Sequence, residues 1–516
     1  PEPLFSDTLH LASGVAVYGG FGGFETRREE RDALLRPVVL HGASESDLAI
    51  RVSRVVTALG TVDATLDGLT VTSGDATTEG TESLGVWIEE AGGVPSRVDL
   101  VDCSFGGLRS FEGSATTGVG VTVIRSSARL SRCELTGNSA WTAGTMVRAQ
   151  DATLIVEETR FRDNAFAGAI EATGSSVRVL DSTIEGSSFF SKGGVYLEGC
   201  GFEVDGSEFI LNRARLGSAG GLTAKASTGA IRRSAFRENS GYDGQAGALL
   251  LEESVIDLED CDFDQNWGGY PDRPSGLHVF GATSLVTLTR CAFVDNGLQA
   301  WAAHVIQVSG GTATLIECTF DHNGGGLGCQ DARCTVSGGG FSGNTTEHAA
   351  AISARASSLL VEGAYFTLNR SGLGNGVIDV YQADATIRRS WFEGNWGNPS
   401  NVVVWDASAL IESCGFWDGV AYSSVLVSGP ESSLVLRHVT MANRLGADGV
   451  VQAGDGAHVY LEGSIIWTLG DWTAVDLLQA DATSSISASH ILIPGGFAGP
   501  GNLDATPLFI DLAGGD

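Results

Sequence analysis

Acid–base cleavage of a sugar polymer needs two carboxylates at a defined separation, and the chain offers such a pair in Asp260 and Asp262. With 62 acidic residues in 516, pairs of this kind arise by chance and none stands out. Zinc chemistry needs ligands that converge on one point. His278, His304, His322 and His348 fall in successive segments at unequal positions, which reads as four surface residues. No Gly-x-Ser-x-Gly elbow, phosphate loop or dinucleotide fingerprint occurs where a strand-to-helix turn could use it. The sequence therefore assigns no catalytic residue and no metal ligand.

Another pattern points to binding. Trp141, Phe166, Tyr242, Trp267, Tyr270, Trp301 and Trp396 recur just beyond a series of asparagines: Asn138, Asn164, Asn212, Asn239, Asn266, Asn296, Asn323, Asn344, Asn369 and Asn395. A row of exposed rings stacks on sugar faces or holds an extended partner. Rings folded back over the turns would instead seal the core, as large aromatics mostly do, and this arrangement is the one expected. Trp141, Trp267, Tyr270, Trp301 and Trp396 are the candidates for a contact stripe. The asparagines read as structural, since stacked amides hydrogen-bond between repeats and tolerate left-handed turns.

These residues are placed by a repeat. The frame is apolar, any, apolar, two residues, small, any, large apolar, two residues, often Asn. Ile256, Leu258, Cys261, Phe263 and Asn266 fill it, as do Val286, Leu288, Cys291, Phe293 and Asn296, and Ala313, Leu315, Cys318, Phe320 and Asn323. The large position recurs 17 times from Val71 to Ile493, at a mean period of about 26 residues that runs from 21 to 34. Alternation within each copy is the two-residue period of strands, and the two-residue skip is a bend between them. A third strand lies upstream, for example in residues 247–251 and 375–380. The expectation is an all-β, single-stranded right-handed parallel β-helix of about 17 coils with three short strands per coil, about 75 to 80 Å long.

Cys103, Cys133, Cys261, Cys291, Cys318 and Cys414 share the small position with Thr159, Ser182, Ser207 and Ser234, so they read as packing residues. The odd total of nine argues against a complete disulfide framework. Cys329 and Cys334 differ, because the run between them could close a small loop by a disulfide in an oxidising compartment.

The balance of 31 basic against 62 acidic residues, net −31, repels phosphate backbones and anionic lipid, so nucleic acid is not an expected partner. No cofactor is expected; calcium is the one ion such acidity could attract. No run of 18 apolar residues provides a transmembrane segment, and no signal segment opens the chain, which reads as a trimmed, exported product. Only Lys192 and Lys225 stand against 29 arginines, a compositional bias rather than a site.

The segment Gly14-Val15-Ala16-Val17-Tyr18-Gly19-Gly20-Phe21, followed by Glu25-Thr26, Arg31-Asp32 and Val38-Val39-Leu40-His41-Gly42, resembles the opening module of bacterial right-handed β-helix surface proteins similar to polymorphic outer membrane proteins. Ser464-Ile465-Ile466-Trp467 and the run from Asn502 to Asp511 resemble that group's closing motif. The resemblance implies a pectate-lyase-like architecture on a bacterial surface: an opening module over residues 1–60, then continuous repeats over 61–516, one domain truncated at both ends. Its implied role is a non-enzymatic structural, adhesive or assembly module, with an extracellular glycan, another surface protein or a second copy as partner. The alternative is a polysaccharide lyase or glycoside hydrolase, by analogy of fold.

Overall fold

A computed structural model of the chain describes residues 8–42, 54–72, 84–110, 118–140, 144–189, 192–241, 245–269, 273–297, 304–373, 375–398, 400–417, 423–443, 450–468 and 473–507. It forms two compact units, Pro1–Gly269 and Tyr270–Asp516.

Each unit is a parallel β-solenoid, and one coil shows how the sequence makes it. In the first unit, strands Leu249–Glu252, Val255–Glu259 and Asp262–Asp264 follow one another with two residues between each. Glu253, Asp260 and Gln265 stand at the three corners, each with φ near +50°. A single left-handed residue swings the chain sharply between extended segments, and its polar side chain stays outside. Alternate residues then point inward: Leu249 and Leu251, Ile256 and Leu258, Cys261 and Phe263 are all buried.

Stacking these coils gives three parallel sheets in each unit. On the third sheet of the first unit the large position runs in register through Leu40, Val71, Phe105, Leu135, Phe161, Ile184, Phe209, Phe236 and Phe263. In the second unit it runs from Phe293 through Phe320, Phe341, Phe366, Phe392, Phe416 and Met441 to Ile466. The frame read from the sequence is therefore the inward column of the third sheet, and Leu40 adds one member at its start. Consecutive phenylalanine rings lie nearly parallel, with centroids 4.5 to 5.2 Å apart in the second unit.

The asparagines form ladders outside that column. Asn323 Nδ2 donates to Asn344 Oδ1 at 3.0 Å, Asn344 Nδ2 to Asn369 Oδ1 at 2.9 Å, and Asn369 Nδ2 to Asn395 Oδ1 at 3.0 Å. Each also donates to a phenylalanine carbonyl of the preceding coil, as Asn344 does to Phe320 at 3.0 Å. The left-handed turns, however, are taken by the residue before the asparagine: His322, Gly343, Leu368 and Gly394. The asparagine turns its amide inward, and its neighbour absorbs the bend.

The six small-position cysteines are buried, as is Cys200. Cys329 and Cys334 are joined by a disulfide, with Cα atoms 6.6 Å apart. Cys329 stands in register with Val308 and Ala354 on the first sheet, and Cys334 with Ala313 and Leu359 on the second, so the bond lies at the corner between them.

The opening motif is a second-sheet strand, Ala16–Tyr18, and a third-sheet strand, Val38–His41, with a loop between. A Cβ at Gly19 would overlap the Gly68 carbonyl, and Gly20 adopts φ +91° against Ala33, so neither tolerates a side chain. Glu25 accepts backbone bonds from Gly22, Gly23 and Phe24 and pairs with Arg36. Strand Arg54–Leu59 pairs with both Leu9–His10 and Leu84–Glu89, so residues on either side of position 60 share the first sheet. In the closing motif, Asn502 donates to the carbonyls of Ala488 and Phe497. Residues 508–511 of that motif lie outside the described residues.

Candidate functional site

Parallel strands in register place equivalent outward side chains in rows. On the first sheet of the second unit one row runs His278, Gln307, Gly328, Ser353, Asp379. The row two residues on runs Phe280, Ser309, Gln330, Arg355, Tyr381. The coil from Phe320 to Phe341 is the shortest, 21 residues, because only Gly324–Gly326 separate Asn323 from the first-sheet strand Leu327–Gln330. Its neighbours carry longer links, and these hold His304 and His348. The short coil is thus recessed between two histidine-bearing loops. Gly328 deepens the recess, since a Cβ there would overlap the His304 ring and the Gln307 amide. The resulting cavity is about 420 Å³.

Its lining is cationic in a strongly acidic chain. Arg273, Arg355, His278, His304 and His348 all face it, and Asp379 is the one carboxylate among the lining residues. His304 is only 8% exposed. Burial, with the charges of His348 and Arg355 in support, pushes its imidazole down to about 3, so the ring is neutral at any physiological pH. Its Nδ1 is buried without a hydrogen-bond partner among the described residues. A buried orphan of this kind costs on the order of 1–3 kcal/mol, more readily explained by function than by stability. Asp379 Oδ1 accepts a 2.6 Å bond from the Gly376 amide. Burial nevertheless pushes its carboxyl up to about 7, against the opposing pull of that bond and of Arg355. Arg355 stands over the Tyr381 ring, 5.8 Å from its centroid, and makes no ion pair among the described residues. His278 Nε2 lies 3.3 Å from the Ser309 hydroxyl. A neutral imidazole, a carboxyl that titrates near neutrality and two guanidiniums can bind an anion or move a proton; paired-carboxylate hydrolysis has no second carboxylate in this lining.

The first unit carries a different feature. Just outside its asparagine ladder, Ser188, Arg213, Ser240 and Trp267 align coil on coil. Together with Phe166, Leu211, Arg215, Glu238 and Gln265 they line an open groove of about 800 Å³. It crosses five successive coils, roughly 19 Å at 4.8 Å per coil. Phe166 and Leu211 take left-handed turn positions, which carry their side chains outward to 52% and 39% exposure. Trp267 is half-buried at the opposite end. Aromatic faces at the ends and Arg213, Arg215, Glu238 and Gln265 between them suit an extended, hydroxyl-rich ligand.

The sequence expectations fare unevenly. Of the contact-stripe candidates, Trp267 lines the groove, and Trp396 in the second unit is 37% exposed with the Arg370 guanidinium 3.6 Å from its ring centroid. Trp141, Tyr270 and Trp301, with Tyr242, lie outside the described residues. Sealing of the core by these rings does not hold for Phe166, which its left-handed turn position carries outward, nor for Trp396, exposed at the start of the strand Trp396–Asn398. The surface reading of the histidines holds for His322 and His348, both exposed, and fails for His278 and His304. His278 and His304 are buried, and exposed His348 joins them at the recess. Asp260 and Asp262 are exposed on a corner and a third-sheet strand and line neither cavity. Asp379, Arg355, Gln307 and Gly328 were missed. The signal was present in the 21-residue period and in aligning the upstream strand coil by coil, which puts four polar residues and a glycine in one row. Among the described residues no group of three His, Cys, Asp or Glu could hold a metal ion, and no helix is long and apolar enough to cross a membrane.

In each unit, three parallel sheets wound coil on coil around an apolar column define a parallel β-helix protein. The model of the right handed beta helix region matches residues 119–291 and 215–392, together more than half of the chain, and the chain belongs to that family. Among solved structures it is similar to PfbA, a surface adhesin of Streptococcus pneumoniae, at 8% identity and a TM-score of 0.37, over 63% of this chain and 84% of that one. It is also similar to the A-module of the mannuronan C-5 epimerase AlgE6 of Azotobacter vinelandii, at 11% identity and a TM-score of 0.20, over 88% and 91%. These likenesses are of fold alone. No curated protein matches the chain.

Proposed function

We propose that this protein is an exported bacterial surface module, non-enzymatic, that holds an extended extracellular glycan in the groove of its first unit. The observation that carries the reading is the placing of Phe166 and Trp267 at the ends of a polar trough built on rigid stacked coils. Sugar rings offer apolar faces to aromatics and hydroxyls to guanidinium, carboxylate and amide groups, and a preformed trough loses little entropy on binding. The Cys329–Cys334 disulfide supports an oxidising compartment. No calcium is required by this reading.

Replacing Trp267 with Ala is expected to weaken binding of the cognate polysaccharide by roughly 5- to 30-fold, about 1–2 kcal/mol, and Phe166→Ala by a similar amount. Calorimetric titration following a polysaccharide screen measures this, with circular dichroism as the control for folding. Unchanged affinity in both variants, or no binding to any polysaccharide, sinks the reading.

The second reading, a polysaccharide lyase or hydrolase, is favoured by one observation, the neutral His304 and neutrality-titrating Asp379 of the second unit. New reducing or unsaturated ends in the same screen, run with and without calcium, would establish it over the first.

A further inference from the structure

We propose that the recess of the second unit is a binding site for an anionic sugar residue, separate in residues from the glycan groove, with Arg355 and its neighbouring histidines taking the acidic group and Gln307, Ser309 and Ser353 the hydroxyls. Four observations converge on it. A chain of net charge −31 places two arginines at one cavity, beside three of its nine histidines, and the guanidiniums favour a negative ligand. The cavity exists because the Phe320–Phe341 coil is short and position 328 lacks a side chain. His304 is enclosed in its wall with a ring nitrogen that has no hydrogen-bond partner among the described residues. Arg355 is exposed at the rim with no carboxylate paired to it among the described residues, whereas many arginines on the outer faces are spent in coil-to-coil pairs such as Arg129–Glu157 and Arg178–Glu203.

Asp379 gives the site a protonation switch. Burial holds its carboxyl at about 7, so below neutrality it is a neutral donor and above it an anion facing the ligand. The other groups facing it are Arg355 and Arg273, His304, which burial keeps neutral, and His278 and His348. Ionisation of Asp379 places a negative charge against the ligand, so affinity falls as pH rises through 7. Asn at position 379 keeps a neutral donor at every pH and isolates the carboxyl's share.

The test uses the full chain carrying Trp267→Ala, which weakens the groove of the first unit, and reads the recess by the difference that Arg355→Gln makes in that background. Affinity is measured at pH 6 and pH 8 for a uronic acid oligosaccharide, a sulfated oligosaccharide, the uronic acid oligosaccharide with its carboxylates reduced to alcohols, and inorganic sulfate. We expect at least one of the two anionic oligosaccharides to bind 10-fold or more tighter than the reduced one and than inorganic sulfate, and which of the two does so identifies the acidic group. Arg355→Gln, at an exposed position, should weaken that binding 10-fold or more with no change in the circular dichroism spectrum. Asp379→Asn should raise affinity at pH 8 by about 5- to 10-fold and flatten the pH profile. Equal affinity for the reduced and anionic oligosaccharides, or Arg355→Gln and Asp379→Asn both without effect, would overturn the proposal.

Discussion

Truncating Phe366 to alanine is expected to destabilise the second unit by about 3–5 kcal/mol, among the largest effects of any single substitution in the chain. The ring is fully buried and lies between Phe341, with centroids 5.2 Å apart, and Phe392, at 4.7 Å. Its removal forfeits the transfer free energy of the side chain and leaves a cavity that the coils cannot close. Backbone ladders on all three sheets hold them at a fixed spacing, and the Asn395 amide is bonded to the Phe366 carbonyl itself. Phe366→Leu retains most of the volume and should cost appreciably less. Each coil touches mainly its neighbours, so the loss is local, and a single melting temperature would blur it. Hydrogen exchange of the third-sheet amides in residues 341–392 is the appropriate measurement. Protection falling by less than tenfold there would mean that the column is not the seat of stability.

The column was legible in the sequence because one position carries one demand. Only a large apolar side chain fills the inside of the third sheet, so phenylalanine recurs and the frame can be followed by eye. The same holds for the cysteine, serine and threonine position, where the corner admits only a small group. The recess left only an indirect trace, the 21-residue period, for the opposite reason. His278, Gln307, Gly328, Ser353 and Asp379 share a row, yet nothing in the packing constrains their type, so no repeat betrays them. His304 and His348 reach the site from loops of unequal length, which disguises their common destination. The groove stands between these cases. Phe166 and Trp267 follow asparagines, at offsets of two and one, but that the Phe166 ring faces outward depends on its own left-handed backbone, which a sequence pattern does not display.

Asn344→Leu should cost about 3–5 kcal/mol, although it keeps the size of the side chain and adds apolar surface. Asn344 is fully buried, and its amide satisfies two coils at once. Its Oδ1 accepts from the Asn323 backbone and side chain, both at 3.0 Å, while its Nδ2 donates to the Phe320 carbonyl and to Asn369. Leucine leaves the Asn323 amide, one proton of its side chain and the Phe320 carbonyl without partners in a site closed to water, and each buried orphan costs on the order of 1–3 kcal/mol. Asn344→Asp separates this account from simple packing. The carboxylate still accepts from Asn323, but it faces the Phe320 carbonyl and Asn369 Oδ1 with no proton to give, so burial and repulsion raise its folded pKa above the unfolded value. For an acid raised in the folded state, stability is fully present below the unfolded pKa of about 4 and is lost as pH rises through the folded value. The difference in unfolding free energy between Asn344→Asp and the parent should therefore widen from pH 4 towards pH 8, while that of Asn344→Leu stays flat. Parallel profiles for the two variants would mean that the ladder amides only fill space, and that the coils are joined by their backbones alone.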